Sequence, residues 1–143
     1  MALYLFRVLA KDEVGSLARI ARALASERIN LEGFAVDSSG VQLVTRDREH
    51  AEQALEADGL AFLVDEVHEV VLQDRPGALA DLCERLAAVG INIATAFGVA
   101  TGAAGRIYIR VNDLPHAAPI LDSVSEGPVI LHRRLGRIPV VSR

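Results

Sequence analysis

The chain has 143 residues, 51% of them hydrophobic and 24% charged, a globular composition that excludes disordered, collagen-like and fibrous classes. Cys83 is the single cysteine, so neither an internal disulfide nor a Cys-based zinc site can form within one chain. A formal net charge of −4, with 15 Lys+Arg against 19 Asp+Glu and 4% aromatics, argues against nucleic acid as the partner, because phosphate binding wants a basic surface and stacking wants rings. No apolar run reaches the roughly 18 residues of a membrane helix, and the start, Met1 to Arg7, lacks a basic leader and a cleavage site. A soluble, cytoplasmic protein without a membrane partner is the expectation.

In chain order the same pattern is met twice. Tyr4 to Ala10 is strand-like, and a glycine turn follows, Asp12-Glu13-Val14-Gly15. Leu17, Ile20, Ala21 and Leu24 then give the i, i+3, i+4, i+7 stripe of a helix. Leu31 to Val36 and Val41 to Thr45 form a hairpin about Asp37-Ser38-Ser39-Gly40. Asp47 suits the N-cap of a second helix, and Ala61 to Glu66 reads as a closing strand. The second pass has Val67 to Leu72, the turn Asp74-Arg75-Pro76-Gly77, and a stripe at Leu79, Leu82, Cys83 and Leu86 that Gly90 ends. A hairpin from Ile93 to Val99 with Arg106 to Val111 follows, then a helix capped by Asp113 that Pro119 should shorten or kink, and a last strand from Val129 to Leu135.

The two passes align without gaps at an offset of 62, with Asp12 on Asp74, Gly15 on Gly77, Leu24 on Leu86 and Asn30 on Asn92. Their later halves align at an offset of 66, with Asp47 on Asp113 and His50 on His116. The fold expected is therefore α+β: two tandem β-α-β-β-α-β units, residues 1–66 and 67–143, each an antiparallel sheet with its helices on one face. The first strands are apolar on both sides, Phe6, Val8 and Ala10 against Leu5 and Leu9. A covered second face, and hence an oligomer, is expected, with a merely hydrophobic solvent face as the alternative.

No catalytic constellation and no metal set is visible. Cys83 falls on the helix stripe and reads as a core thiol, and Asp-x-x-His at residues 47–50 and 113–116 reads as a solvated first helical turn. The basic tail from Leu131 to Arg137 reads as a strand with solvated arginines. The strand–turn–helix junctions are more informative. A helix start behind a tight glycine turn offers free N–H groups and the positive end of the helix dipole, a natural seat for a carboxylate. Asp12 and Asp74 could meet an ammonium at the same mouth, and Asn30 and Asn92, opening the second strand, are placed next to it. Together these groups match the head of a free amino acid. A purely structural reading, with Asp and Gly as turn residues and Asn as a helix exit, stands beside it.

The run Asp74-Arg75-Pro76-Gly77-Ala78-Leu79, followed by Gly90-Ile91-Asn92-Ile93, resembles the signature of the ACT domain, the small regulatory module of many enzymes of amino-acid metabolism. The first pass departs from it, with Glu13-Val14 for the Arg-Pro pair and Glu27-Arg28 before Ile29-Asn30. The resemblance implies ferredoxin-like units that pair side by side, with ligands at the interface between units. Carried onto this chain it nominates Asp74, Gly77, Ala78 and Leu79 facing Asn30 and Leu31, and in mirror image Asp12, Gly15, Ser16 and Leu17 facing Asn92 and Ile93. Apolar neighbours, Leu79, Ile93 and Phe97 or Leu17, Leu31 and Phe34, point to a small or apolar ligand.

The function expected is non-catalytic: a regulatory sensor that binds a free amino acid, needs no cofactor, and forms a homo-oligomer, most simply a dimer. The alternatives are a regulatory subunit acting in trans on an enzyme of amino-acid biosynthesis, which predicts co-purification, and a ligand-free dimerisation module, which predicts no response to any amino acid.

Overall fold

A computed structural model gives the fold; it describes residues 2–100 and 104–125. The chain divides into two compact units, Met1–Val67 and His68–Arg143. Four helices and antiparallel strands make it α+β among the described residues.

The first unit contains β1 (Leu3–Leu9), α1 (Ser16–Ser26), β2 (Gly33–Asp37), β3 (Gly40–Thr45), α2 (Arg48–Ala57) and the opening of β4 (Ala61–Gln73). Its strands lie in the order β2-β3-β1-β4, all antiparallel, with Phe6 opposite Leu43 on one side and Val64 on the other. One face of this sheet carries Phe6, Val8, Val41 and Leu43, against which Ile20 and Leu24 of α1 and Leu55 of α2 are buried. The Phe6 and Phe62 rings meet at 5.5 Å within it. Closing these apolar faces on each other is what holds the unit, at about 1.5–3 kcal/mol for each large side chain fully buried. On the other face Leu5 and Val44 are buried, Arg7 donates to Asp65 at 2.8 Å, and Leu9 and Leu63 are exposed.

The second unit contains the rest of β4, then α3 (Ala78–Ala88), β5 (Ile93–Ala100), β6 (Ala104–Val111) and α4 (Leu114–Val124). Its strands run β4-β6-β5, again antiparallel. Val70, Leu72 and Ile109 face Leu82 and Leu86 of α3 and Ala117 and Leu121 of α4. The registers match those of the first unit at the offsets met in the sequence: Phe34 opposes Leu43 as Ala96 opposes Ile109, and Val36 opposes Val41 as Gly98 opposes Ile107. The expected last strand, Val129 to Leu135, and the basic tail lie outside the described residues.

Four expectations need correction. Residues 61–73 make one strand, not two, since no turn residue interrupts their branched run. Leu17 and Leu79, which open the helix stripes, are exposed, as is Ala21; Ile20 and Leu24, and Leu82 and Leu86, carry the core contact. Cys83 is only half-buried. Helix α4 keeps eleven residues with Pro119 inside it, so the proline does not shorten it. Pro119 is on the exposed side, where the carbonyl it leaves without a donor can meet water, while Ala117 and Leu121 hold the helix on the core. Among the described residues no helix is long and apolar enough to cross a membrane.

Candidate functional site

The two glycine turns are built alike. In the second unit Arg75 N–H donates to Gln73 O at 2.9 Å and Ala78 N–H to Arg75 O at 3.3 Å. Gly77 then takes φ 89, and Asp81 N–H closes the first helical bond on its carbonyl at 2.9 Å. In the first unit Glu13 donates to Lys11 O at 2.9 Å, Ser16 to Glu13 O at 3.2 Å, and Arg19 to the carbonyl of Gly15, whose φ is 90. A side chain is disfavoured at such a φ, which is why the sequence places glycine there. The Glu13-Val14 departure in the first unit therefore leaves the turn geometry unchanged.

Neither turn supplies a side-chain cap. The N–H groups of Leu17 and Ala18, and of Leu79 and Ala80, have no acceptor among the described residues. The other two helices differ. Asp47 accepts from His50 N–H at 3.2 Å and Asp113 from His116 N–H at 3.1 Å. The Asp-x-x-His pairs are thus helix caps, and the His50 ring also bonds Asp47 at 2.9 Å. That bond raises the His50 pKa and lowers that of Asp47. Among the described residues no three His, Cys, Asp or Glu side chains gather as a metal site.

In the second unit the turn and the start of α3 form one wall of a groove of about 400 Å³ on the helix side of the sheet. Asp74, Arg75, Ala78 and Leu79 line it from the turn and the helix, and Leu72 of β4, β5 from Ala96 to Ala100 and Ile107 of β6 line it from the sheet. Asp74, Ala78 and Leu79, all nominated from the sequence, are thus brought together. The Asp74 carboxylate has no partner among the described residues, whereas Arg75 is engaged by Asp81 at 3.0 Å. Phe97 borders the groove, but its ring meets Tyr108 at 5.6 Å, and strand alternation puts both away from the helices. In the first unit Ser16 lines a separate cavity of about 350 Å³ with Lys11, Glu13 and Arg19, while Leu17 is exposed beside the turn that holds Asp12 and Gly15.

The asparagines are not where the sequence reading put them. Asn30 lies at the far end of the first sheet, its carbonyl accepting from Thr45 Oγ1 at 3.0 Å and its amide donating to Glu32 at 3.1 Å. Thr45 pairs with Tyr4, at the start of β1, whereas the turn follows the end of β1. Asn92 is bridged to Asn112, N–H to Oδ1 at 3.0 Å and O from N–H at 3.1 Å, beside Ile93 opposite Val111. The turn of that unit sits at the other end, where Gln73 opposes Ala104. A strand of this length separates the two places by about 20 Å. The cause is topological: each first helix carries the chain back along the sheet, so the second strand starts where the first one started. Asn30 and Leu31, or Asn92 and Ile93, cannot share a small ligand with the turn of their own unit. The groove lining also includes Ala96 and Gly98, which sequence reasoning did not single out, although the alignment at an offset of 62 sets Ala96 against Phe34 and Gly98 against Val36.

Comparison with known proteins fits this architecture. The structure is similar to protein BT0572 from Bacteroides thetaiotaomicron, at 25% identity over 85% of this chain and 87% of that one, with a TM-score of 0.71. It shares its fold with the regulatory subunit of aspartate kinase from Thermus flavus, at 19% identity, 86% and 90% coverage and a TM-score of 0.62. It also shares it with E. coli aspartokinase III in complex with lysine and aspartate, at 14% identity and a TM-score of 0.62, over 86% of this chain and 30% of that one. The search of curated proteins returned no match. Residues 4–59 match the family model of the ACT domain, which falls on the unit whose turn departs from the motif. With its β-α-β-β-α-β order and open glycine turn, that first unit is an ACT domain.

Proposed function

We propose that this chain is a tandem ACT protein, residues 1–66 and 67–143, that binds a free amino acid and passes the occupancy on as a regulatory signal without catalysing a reaction. The single observation that carries this is the pair of open helix starts. Both first helices expose two unaccepted N–H groups behind a left-handed glycine, while both second helices are closed by an aspartate. With glycine at the cap position, each open end forgoes only a few tenths of a kcal/mol relative to an aspartate cap, but it leaves two N–H groups without an acceptor. A carboxylate seated there accepts from them, and the free Asp74 carboxylate at the same mouth matches an ammonium. The ACT match and the likeness to aspartate kinase regulatory subunits support the amino-acid class. Asp74, Gly77, Ala78 and Leu79 are the leading site, with Asp12, Gly15, Ser16 and Leu17 as its counterpart. Asn30, Leu31, Asn92 and Ile93 enter only as contributions from a facing ACT unit, as the family pattern implies.

A dye-based thermal melt of the full chain against each of the twenty amino acids tests this. A ligand that binds only the folded state at a hundredfold excess over Kd adds about 2.7 kcal/mol, which raises Tm by several degrees. A selective rise that Asp74→Ala removes is the expected result. A flat profile at millimolar concentrations of all twenty overturns the reading.

A further inference from the structure

The two units differ on the helix side of their edge strands, at positions that are equivalent by register. Opposite Leu43 and Val41 the first unit has Phe34 and Val36, both exposed; opposite Ile109 and Ile107 the second has Ala96 and Gly98. Strand alternation points each of these pairs towards the helices, because their partners Leu43 and Ile109 lie in the cores. Where Phe34 stands on the sheet, Ala96 leaves the space that becomes the groove beside α3. Its walls are apolar, with Leu72, Leu79 and Ile107, and Leu79 is half-exposed. The charged residues of its lining are Asp74, which has no partner among the described residues, and Arg75, which Asp81 holds. A charged side chain inside would lose hydration without a counter-charge, whereas an aliphatic one would remove apolar surface from water.

We propose that the second unit is the one that takes the ligand, that the ligand is an amino acid with a branched aliphatic side chain, and that Ala96 opens the groove which Phe34 closes in the first unit. This rests on the amino-acid reading above and adds to it the side-chain class and a stoichiometry of one per chain. The ammonium faces Asp74 at the mouth, the carboxylate faces the N–H groups of Leu79 and Ala80, and the side chain lies between Leu79 and Ala96.

Isothermal titration of the full chain with L-leucine, L-isoleucine and L-valine, and with L-aspartate and L-lysine as charged probes, decides it. The expected result is one equivalent of an aliphatic probe per chain, with the charged probes weaker by about tenfold or more. Ala96→Phe, which copies the first unit at an exposed strand position, should weaken the aliphatic probe by about tenfold or more while leaving Tm near that of the unmodified chain. Gly98 is unsuited to this, because a Cβ there would lie 2.4 Å from the Arg106 carbonyl oxygen. Leu79→Asn should weaken binding in the same way, whereas Leu63→Asn, at an exposed leucine on the sheet face away from the helices, should not. Two equivalents per chain, a charged probe bound as tightly as leucine, or a loss on Leu63→Asn equal to that on Leu79→Asn overturns the inference and leaves amino-acid binding standing. Silence of all twenty amino acids in the melt overturns both.

Discussion

Helices α1 and α3 begin differently from α2 and α4, although all four start at the end of a strand or a hairpin and cover a sheet. The second helices are closed in the ordinary way, an aspartate side chain accepting from the third N–H of the helix. The first helices turn in on a left-handed glycine whose missing side chain can cap nothing. Stability alone would favour a cap at every start. That the difference recurs at the same two places in both units teaches that the open ends follow from the turn, whose sharp entry needs a positive φ, and that the unaccepted N–H groups come with it.

The largest effect should come from removing the freedom that the turn depends on. Gly77→Ala and Gly15→Ala each force an L side chain to positive φ, at a cost of about 1–2 kcal/mol. An added Cβ would meet only the Arg75 guanidinium at 3.6 Å in one case and nothing within 4 Å in the other. The cost is therefore backbone strain without a clash, and the two variants should lose stability equally in urea unfolding. Unequal losses would mean that the matching dihedrals hide different surroundings.

The caps come next. Asp113→Ala should cost about 1 kcal/mol, and Asp113→Asn nearly nothing, because the amide oxygen accepts the same bond. Thermal melts of the pair read this directly. If both variants fell together, the carboxylate charge at the helix start would be the stabilising agent and the His116 N–H bond incidental.

How much of this was legible beforehand depended on whether the cause was local. The glycine turns, the caps at Asp47 and Asp113 and the helix stripes were readable, since each is set within a few residues. The stripe shows which face of a helix is apolar but not where along the helix the sheet begins, so Leu17 and Leu79 were read into the cores and are instead exposed beside the turns. Asn30 and Asn92 were misplaced for a longer-range reason. Their separation from the turns follows from the return path of the first helix, and Thr45 and Asn112, which hold them, come 15 and 20 residues later. The contrast of Phe34 with Ala96 lay open in the alignment, yet its meaning needs the register that sets both against core residues of the neighbouring strand.

The smallest effect separates the two capped helices from each other. At α2 the His50 ring adds a bond to Asp47 at 2.9 Å, while at α4 the His116 ring stands 3.8 Å from Asp113. The Asp47 hydrogen bond holds the His50 pKa above its ordinary 6.5, so the ring's contribution is complete below about 6.5 and is lost as pH rises through the folded value. The same bond to His50 holds Asp47 below its ordinary 3.8, so its contribution is complete above about 3.8 and is lost as pH falls further. The pair therefore acts between about pH 4 and 6.5. His50→Gln keeps the backbone N–H that Asp47 caps and removes only the ring. Its urea midpoint should fall below that of the unmodified chain at about pH 5 and converge on it by about pH 8. Both groups are exposed, so the gap should be small and should narrow further in high salt. A gap of the same size at both pH values would show that the imidazolium contributes nothing, and that α2 and α4 are held by the backbone cap alone.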